Sequence, residues 1–267
     1  DLRNGTSPES TRTQHELSGR LGYAWSTLRV AAHYRYVNRP TYVSHTVDAP
    51  ITLGWSDWTP RVSLQPYVRF KRVGRIGAPS FERSSRMFGV RGGYQPWLDS
   101  RTVGQISYEL QYASGYLSDP YVFAGLGPSI GCNAGTLYCL PDHNPDTRLE
   151  HAVVITARRA LTASVSVGIQ YRLFSDDWSM ISHTLEPDFA WLAWRDGLLR
   201  LRYRAYLQSA TEAFRAAQAA VSRALPSNVT EDKRWSHLQT HRLSFDLEQT
   251  WRPGGSLTLT TLLTLGV

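Results

Sequence analysis

The chain has 267 residues, a mass of 30.1 kDa, a formal net charge of +7 and a pI near 9.6, a size that suits one β-rich domain over 1–267. Mean hydropathy is −0.34 and no apolar run approaches the ~18 residues of a spanning helix, so helical membrane spans are excluded. Membrane-crossing strands are not excluded, because each needs about ten residues with only every second one apolar.

Alternation with period two dominates the chain and marks half-buried strands. It predicts strands at 13–25, 28–37, 42–55, 60–72, 82–95, 101–113, 147–159, 162–174, 179–193, 198–208, 235–251 and 255–266. In the eighth, Val165, Val167, Ile169, Tyr171 and Leu173 share one face, opposite Ser166, Gly168, Gln170 and Arg172. In the tenth, Leu199, Leu201 and Tyr203 oppose Arg200, Arg202 and Arg204. In the eleventh, Leu243, Phe245 and Leu247 oppose Arg242, Ser244, Asp246 and Glu248. These strands are about twice the length of those in ordinary sheets. Their order predicts an all-β fold, an antiparallel up-and-down transmembrane β-barrel with twelve strands in this chain.

Connections alternate in length. Short turns fall at 25–27, 56–60, 96–99, 160–161, 195–197 and 252–254, and longer loops at 73–81, 114–146 and 209–234. One rim of tight turns and one of long loops is the layout of bacterial outer-membrane barrels. Trp25, Trp55, Trp58, Trp97, Trp191, Trp194 and Trp251 lie near the short turns, while Tyr42, Tyr112, Tyr116, Tyr121 and Trp178 lie toward the long loops. Two such belts fit the two membrane interfaces. Ser209–Ala210–Thr211–Glu212 has capping-box spacing, and an alanine-rich helix is expected from there to about 225. Cys132 and Cys139 flank a short glycine-bearing loop within 114–146, a spacing that favours a local disulfide in an oxidising compartment. With His143 they reach at most three zinc ligands, and no metal or other cofactor is expected.

Twelve strands place both termini on the long-loop side, against the usual arrangement. The expectation is therefore an intact barrel of about 14–16 strands by the even-number rule. The chain also echoes itself. Tyr34–Arg35 leads to Ser44–His45–Thr46, and Tyr171–Arg172 leads to Ser182–His183–Thr184. These Ser–His neighbours suggest a hydrolase at first sight. Adjacent strand residues point to opposite faces, however, so neither pair forms a nucleophile–base contact. No lipase-type or omptin-type signature is present, and no enzyme activity is expected; an outer-membrane hydrolase using a cross-strand partner is the remaining alternative.

Four segments carry a resemblance: 115–121 (GYLSDPY), 145–151 (PDTRLEH), Tyr171–Arg172 through Asp176–Asp177–Trp178 to Ser182–His183–Thr184, and Arg202–Tyr203–Arg204 through Gln208–Ser209–Ala210. In order and spacing the chain resembles an uncharacterised family of proteobacterial outer-membrane β-barrel proteins, defined by a domain of unknown function. The resemblance implies an integral outer-membrane barrel and supplies no catalytic residue.

With the apolar face toward lipid, the charged face turns inward, since arginine at the bilayer midplane costs about 2–4 kcal/mol. The inward bases then include Arg20, Arg35, Arg69, Lys71, Arg91, Arg148, Arg158, Arg172, Arg200, Arg202, Arg204 and Arg242. Arg200, Arg202 and Arg204, with Arg172, Arg35 and Arg69, form a candidate anion track. The alternative is a salt-bridged ladder with Glu186, Asp188, Asp246 and Glu248. The first alternative predicts a channel or conduit with a basic lumen, by the charge-ring logic of pores. The second predicts a plugged barrel that scaffolds partners. Expected partners are the lipid bilayer, lipopolysaccharide and other envelope proteins reached through the long loops. Nucleic acid is not one of them, because the arginines alternate within strands instead of clustering in an exposed run.

Overall fold

The alternating runs form strands wherever β-branched and aromatic residues recur at every second position. The computed structural model describes residues 15–25, 27–39, 42–53, 61–75, 78–125, 139–194, 197–219, 227–251 and 259–266. The strands are β1 (His15–Ala24), β2 (Leu28–Arg39), β3 (Tyr42–Asp48), β4 (Ile51–Leu53), β5 (Arg61–Arg75), β6 (Ala78–Gln95), β7 (Trp97–Asp99) and β8 (Thr102–Gly115). They continue as β9 (Phe123–Gly125), β10 (Cys139–Pro141), β11 (Thr147–Ala160), β12 (Val165–Asp176), β13 (Ile181–Trp194), β14 (Gly197–Gln208), β15 (Leu238–Trp251) and β16 (Leu259–Gly266). One helix, α1 (Glu212–Ala219), and a 3-10 turn (Lys233–Trp235) lie between β14 and β15.

Fourteen strands make one antiparallel sheet, and twelve of them follow one another as β1-β2-β3-β5-β6-β8-β11-β12-β13-β14-β15-β16. The expected twelve-strand, up-and-down order is therefore present. Among the described residues β1 and β16 are not paired with each other. The stretch expected as one strand over 42–55 is broken into β3 and β4 at Ala49–Pro50, because proline has no N–H to give the ladder. The backbone bonds continue around the break through Ala49 N to Pro66 O and Ala31 N to Pro50 O, both 3.0 Å. The small β7 pairs with β8, and β9 pairs with β10 as a separate two-stranded sheet; alternation gave no sign of these three-residue pieces. The expected helix begins at Glu212 after the Thr211 cap, whose Oγ1 accepts from Phe214 N at 3.4 Å. Positions 220–225 of that helix, Cys132 with the bridge expected to Cys139, Trp55, Trp58, and the turns at 56–60, 195–196 and 252–254 lie outside the described residues.

The two faces of the sheet differ as the alternation requires. One face carries Leu64, Phe88, Ile155, Ile169, Leu201 and Leu243, each 45–49% exposed in mid-strand. The other carries the arginines and carboxylates. A soluble monomer seldom leaves a contiguous apolar patch above a few hundred Å²; here exposed apolar side chains recur on the strands from β1 to β15. At the long-loop rim Ala124, Ala217 and Val229 are buried together against Leu140.

Candidate functional site

Register decides which inward side chains meet. Arg202 lies opposite Asp188 and Ser244, and Arg204 opposite Arg242. Arg202 Nε is 3.8 Å from Glu186 and its Nη2 is 3.9 Å from Asp246, while Arg204 Nε is 3.4 Å from Glu186. The Arg200 Nε is buried without a hydrogen-bond partner. Arg35 pairs with Glu16 at 2.8 Å, Arg69 donates to Thr46 Oγ1 at 3.3 Å, and Arg172 stacks 5.1 Å over Phe174. The six residues of the expected track thus all lie on the charged face of the sheet, and three of them sit on carboxylates.

The expected acids divide. Glu186 and Asp246 join the ladder. Asp188 pairs with Arg158 at 2.7 Å instead, and Glu248 makes no ion pair among the described residues. The Arg158–Asp188 contact crosses β12 at Gly168, which lies between them in register and has no side chain to block the bridge. Further along, Arg91 binds Glu109 at 2.9 Å. The Tyr67 hydroxyl donates to Glu109 and Gln111, each at 2.8 Å, over Gly89, where a Cβ would overlap the Tyr67 ring.

At the long-loop rim the two long connections interlock into a cap. His143 and Val229 exchange backbone hydrogen bonds at 2.9 Å. Arg234 Nη2 reaches Asp119 at 2.8 Å and its Nε reaches Asp232 at 2.7 Å; this pairing holds the guanidinium above its usual pKa. Asp142 and Asn144 are 5% and 2% exposed. Asp142 Oδ2 accepts from Asp119 N at 2.7 Å and Asn144 Nδ2 at 3.0 Å, but Asp142 Oδ1 and Asn144 Oδ1 have no partner. Burial, with the charges of Asp232 and Asp119, pushes the Asp142 carboxyl up to about 6. Burial, with the charges of Asp142 and Asp119, pushes Tyr116 up to about 12.

The cap is anchored to the inward face by Arg148. Its guanidinium bonds Glu150 at 2.6 Å and the fully buried Asp176 at 2.5 Å. It lies 4.7 Å from the Trp178 ring and 4.6 Å from the Trp235 ring. Trp235 also packs on Ala152, Phe174 and Met180, and Gln208 Nε2 donates to Arg234 O at 2.6 Å and Ser236 O at 2.9 Å.

On the outward face a second set recurs that alternation alone did not single out. Tyr hydroxyls sit on His Nδ1 atoms at Tyr34–His45 (2.8 Å), Tyr108–His151 (2.6 Å), Tyr171–His183 (2.7 Å) and Tyr203–His241 (2.7 Å). Each pair spans a hairpin closed at the long-loop rim. In register, the row through His45 passes Phe70, Arg86 and Ser114 to Thr147, four strands on, and His151 is four residues further from the rim. The row through His151 reaches Ile181 in two strands, and His183 is two residues further. The row through His183 reaches Gln239 in two strands, and His241 is two residues further. The offset is one residue per strand throughout. The sequence echo at Tyr34–His45 and Tyr171–His183 belongs to this set, and its serines turn the other way, with Ser44 and Ser182 buried on the inward face.

No group of three or more His, Cys, Asp or Glu among the described residues is arranged to hold a metal ion. A comparison with curated proteins finds no match. Residues 92–261, from the end of β6 into β16, match the family described as a protein of unknown function (DUF3570), and the chain belongs to that family.

Proposed function

We propose that the chain is a transmembrane β-barrel of the bacterial outer membrane, acting as a narrow conduit with a polar, basic lumen. The observation that carries this reading is the constant offset of the four Tyr–His pairs. One residue of rise, about 3.3 Å, per strand spacing of about 4.8 Å corresponds to a tilt of about 35°, at the lower end of the 35–45° of transmembrane barrels. At that tilt the four pairs lie level, as an interfacial girdle does. On β13, His183 and Trp191 are eight residues apart on the outward face. At about 3.3 Å per residue and a 35° tilt they differ in height by about 22 Å, close to the ~25 Å apolar band of such barrels. Trp194, 48% exposed, belongs to the same lower belt.

An even number of strands in the path leaves β1 and β16 antiparallel, so the sheet can close on itself or through further strands. Closure removes the unpaired edges, whose polar groups lipid cannot satisfy. The inward charges then face water, and their basic excess favours anions.

A second reading, a plugged barrel that scaffolds envelope partners, is favoured by the cap held to the inward face by Arg148 and Trp235. Conductance of the full-length protein in a planar bilayer under a salt gradient separates the two. Steady conductance with anion preference supports the conduit. A tight bilayer, with insertion verified by protease protection, supports the plugged barrel. Failure to insert into vesicles refutes both.

A further inference from the structure

We propose that the inward face carries a binding site for a phosphate-class anion of at least two charges, at the short-turn end of β1, β2, β4, β5 and β6. The setting in a lumen rests on the barrel reading; the chemistry of the site does not. A cavity of about 440 Å³ is lined there by Arg20, Arg29, Arg61, Thr52, Ser63 and Gln95. Its size falls in the range of small-molecule pockets. Arg29, Thr52, Ser63 and Gly93 lie in one register row, and Arg61 lies opposite Gln95 on the same face. Gly93 keeps the row open, because a Cβ there would come within 2.6 Å of Ser63 Oγ.

The electrostatics distinguish this cavity from the rest of the inward face. Arg35, Arg91, Arg148, Arg158, Arg202 and Arg204 all sit on carboxylates. Among the described residues Arg20, Arg29 and Arg61 make no ion pair or hydrogen bond, and no Asp or Glu lines the cavity. Three guanidiniums lining one cavity without a counter-charge among the described residues repel one another and gain from a multiply charged ligand. Each offers a planar fork that matches two oxygens of a phosphate group. The Thr52 and Ser63 hydroxyls and the Gln95 amide add neutral donors beside them.

The test is calorimetric titration of inorganic pyrophosphate into the full chain folded in detergent micelles at low ionic strength. One saturable site is expected. Arg29→Gln and Arg61→Gln each weaken it about 10- to 100-fold, the effect of losing a charge-assisted bond pair. Arg29→Lys, which keeps the charge and loses the fork, weakens it less. Arg215→Gln, on the exposed side of α1, leaves it unchanged. Circular dichroism of each variant reports whether the sheet is retained. The proposal is overturned by absence of saturation in the unmodified chain, by an equal loss from Arg215→Gln, or by tighter binding of citrate than of pyrophosphate. A chain that binds pyrophosphate in micelles but does not enter vesicles keeps the site and loses the barrel reading. One that inserts and conducts without binding loses the site alone.

Discussion

Arg148→Met tests whether the cap is held to the sheet by one buried cation. The side chain is 11% exposed and bonds Asp176, whose side chain is fully buried, and Glu150, whose side chain is 16% exposed. Methionine has similar length and fills the slot between the Trp178 and Trp235 rings, so the loss is electrostatic and not volumetric. Removing one partner of a buried ion pair costs about 3–5 kcal/mol, because the other charge is stranded. Two ring contacts below 5 Å add about 0.5–2 kcal/mol each when desolvated, which places the total at the upper end. Asp176 Oδ1 also accepts from Trp178 N at 3.0 Å and Met180 N at 2.8 Å, closing the β12–β13 turn. Asp176→Asn keeps an acceptor for that turn while removing the stranded charge. Arg148→Met with Asp176→Asn is therefore expected to recover about 1–2 kcal/mol of the loss. The assay is urea unfolding in micelles followed by tryptophan emission, since two indoles flank the mutated group. A single-variant cost below about 1 kcal/mol, or a double variant less stable than Arg148→Met, refutes the reasoning.

Arg202→Glu places a third carboxylate beside Glu186 and Asp246; in a conducting lumen it is expected to lower or reverse anion preference in reversal-potential measurements, and unchanged selectivity rejects a role for the ladder in permeation. Asp142 has a folded pKa raised to about 6, so its contribution to stability is fully present below about pH 4 and is lost as pH rises through 6. Hydrogen-exchange protection factors over 139–144 and 227–235, rates corrected for the intrinsic pH dependence of amide exchange, are expected to be higher at about pH 4.5 than at about pH 7.5, with the difference removed by Asp142→Asn. Gly168→Ala puts a Cβ against Asp188 Oδ1 and 3.0 Å from Arg158 Nη2; Asp188→Asn is then expected to cost about 1–3 kcal/mol less in the Gly168→Ala background than in the parent, as read from a double-mutant cycle in urea unfolding.

The order of strands was legible because alternation is a local signal. β2, β8, β11, β13 and β14 begin or end within two residues of the runs of alternating residues. The break at Pro50 was legible in principle from the missing N–H. The three-residue strands β7, β9 and β10 are too short to show a period. The shared face of Arg200, Arg202 and Arg204 followed from the same period, but their partners did not. Period two fixes the face of a residue and leaves the register open. Only register sends Asp188 to Arg158 across the gap at Gly168 and leaves Glu186 to serve both Arg202 and Arg204. The cap was illegible for a related reason. Asp119, Asp142, Asp232 and Arg234 come from two loops about a hundred residues apart, and no spacing within either announces the other. Arg29 and Arg61 escaped notice because each stands at the edge of an alternating run, next to a turn.

Register also controls how charge is distributed around the sheet. The inward positions of β5 and β6 hold Arg61, Arg69, Lys71 and Arg91 and no carboxylate. The nearest acids are Asp48 on β3 and Glu109 on β8. In a closed ring of twelve strands, β5 and β6 would stand opposite β14 and β15. On β14, Arg202 is paired from both sides, by Glu186 on β13 and Asp246 on β15, and Arg204 shares Glu186. Under the conduit reading proposed above, a solute between the two walls would meet unequal surfaces. Arg91 is compensated by Glu109, so the imbalance is greatest at the short-turn end of β5, where Arg61 makes no ion pair among the described residues. Low-dielectric walls and charges of one sign focus the field, so in such a lumen an anion would be drawn toward that end. The guanidiniums of Arg20, Arg29 and Arg61 line one cavity there, and the same imbalance that would steer an anion would also hold it.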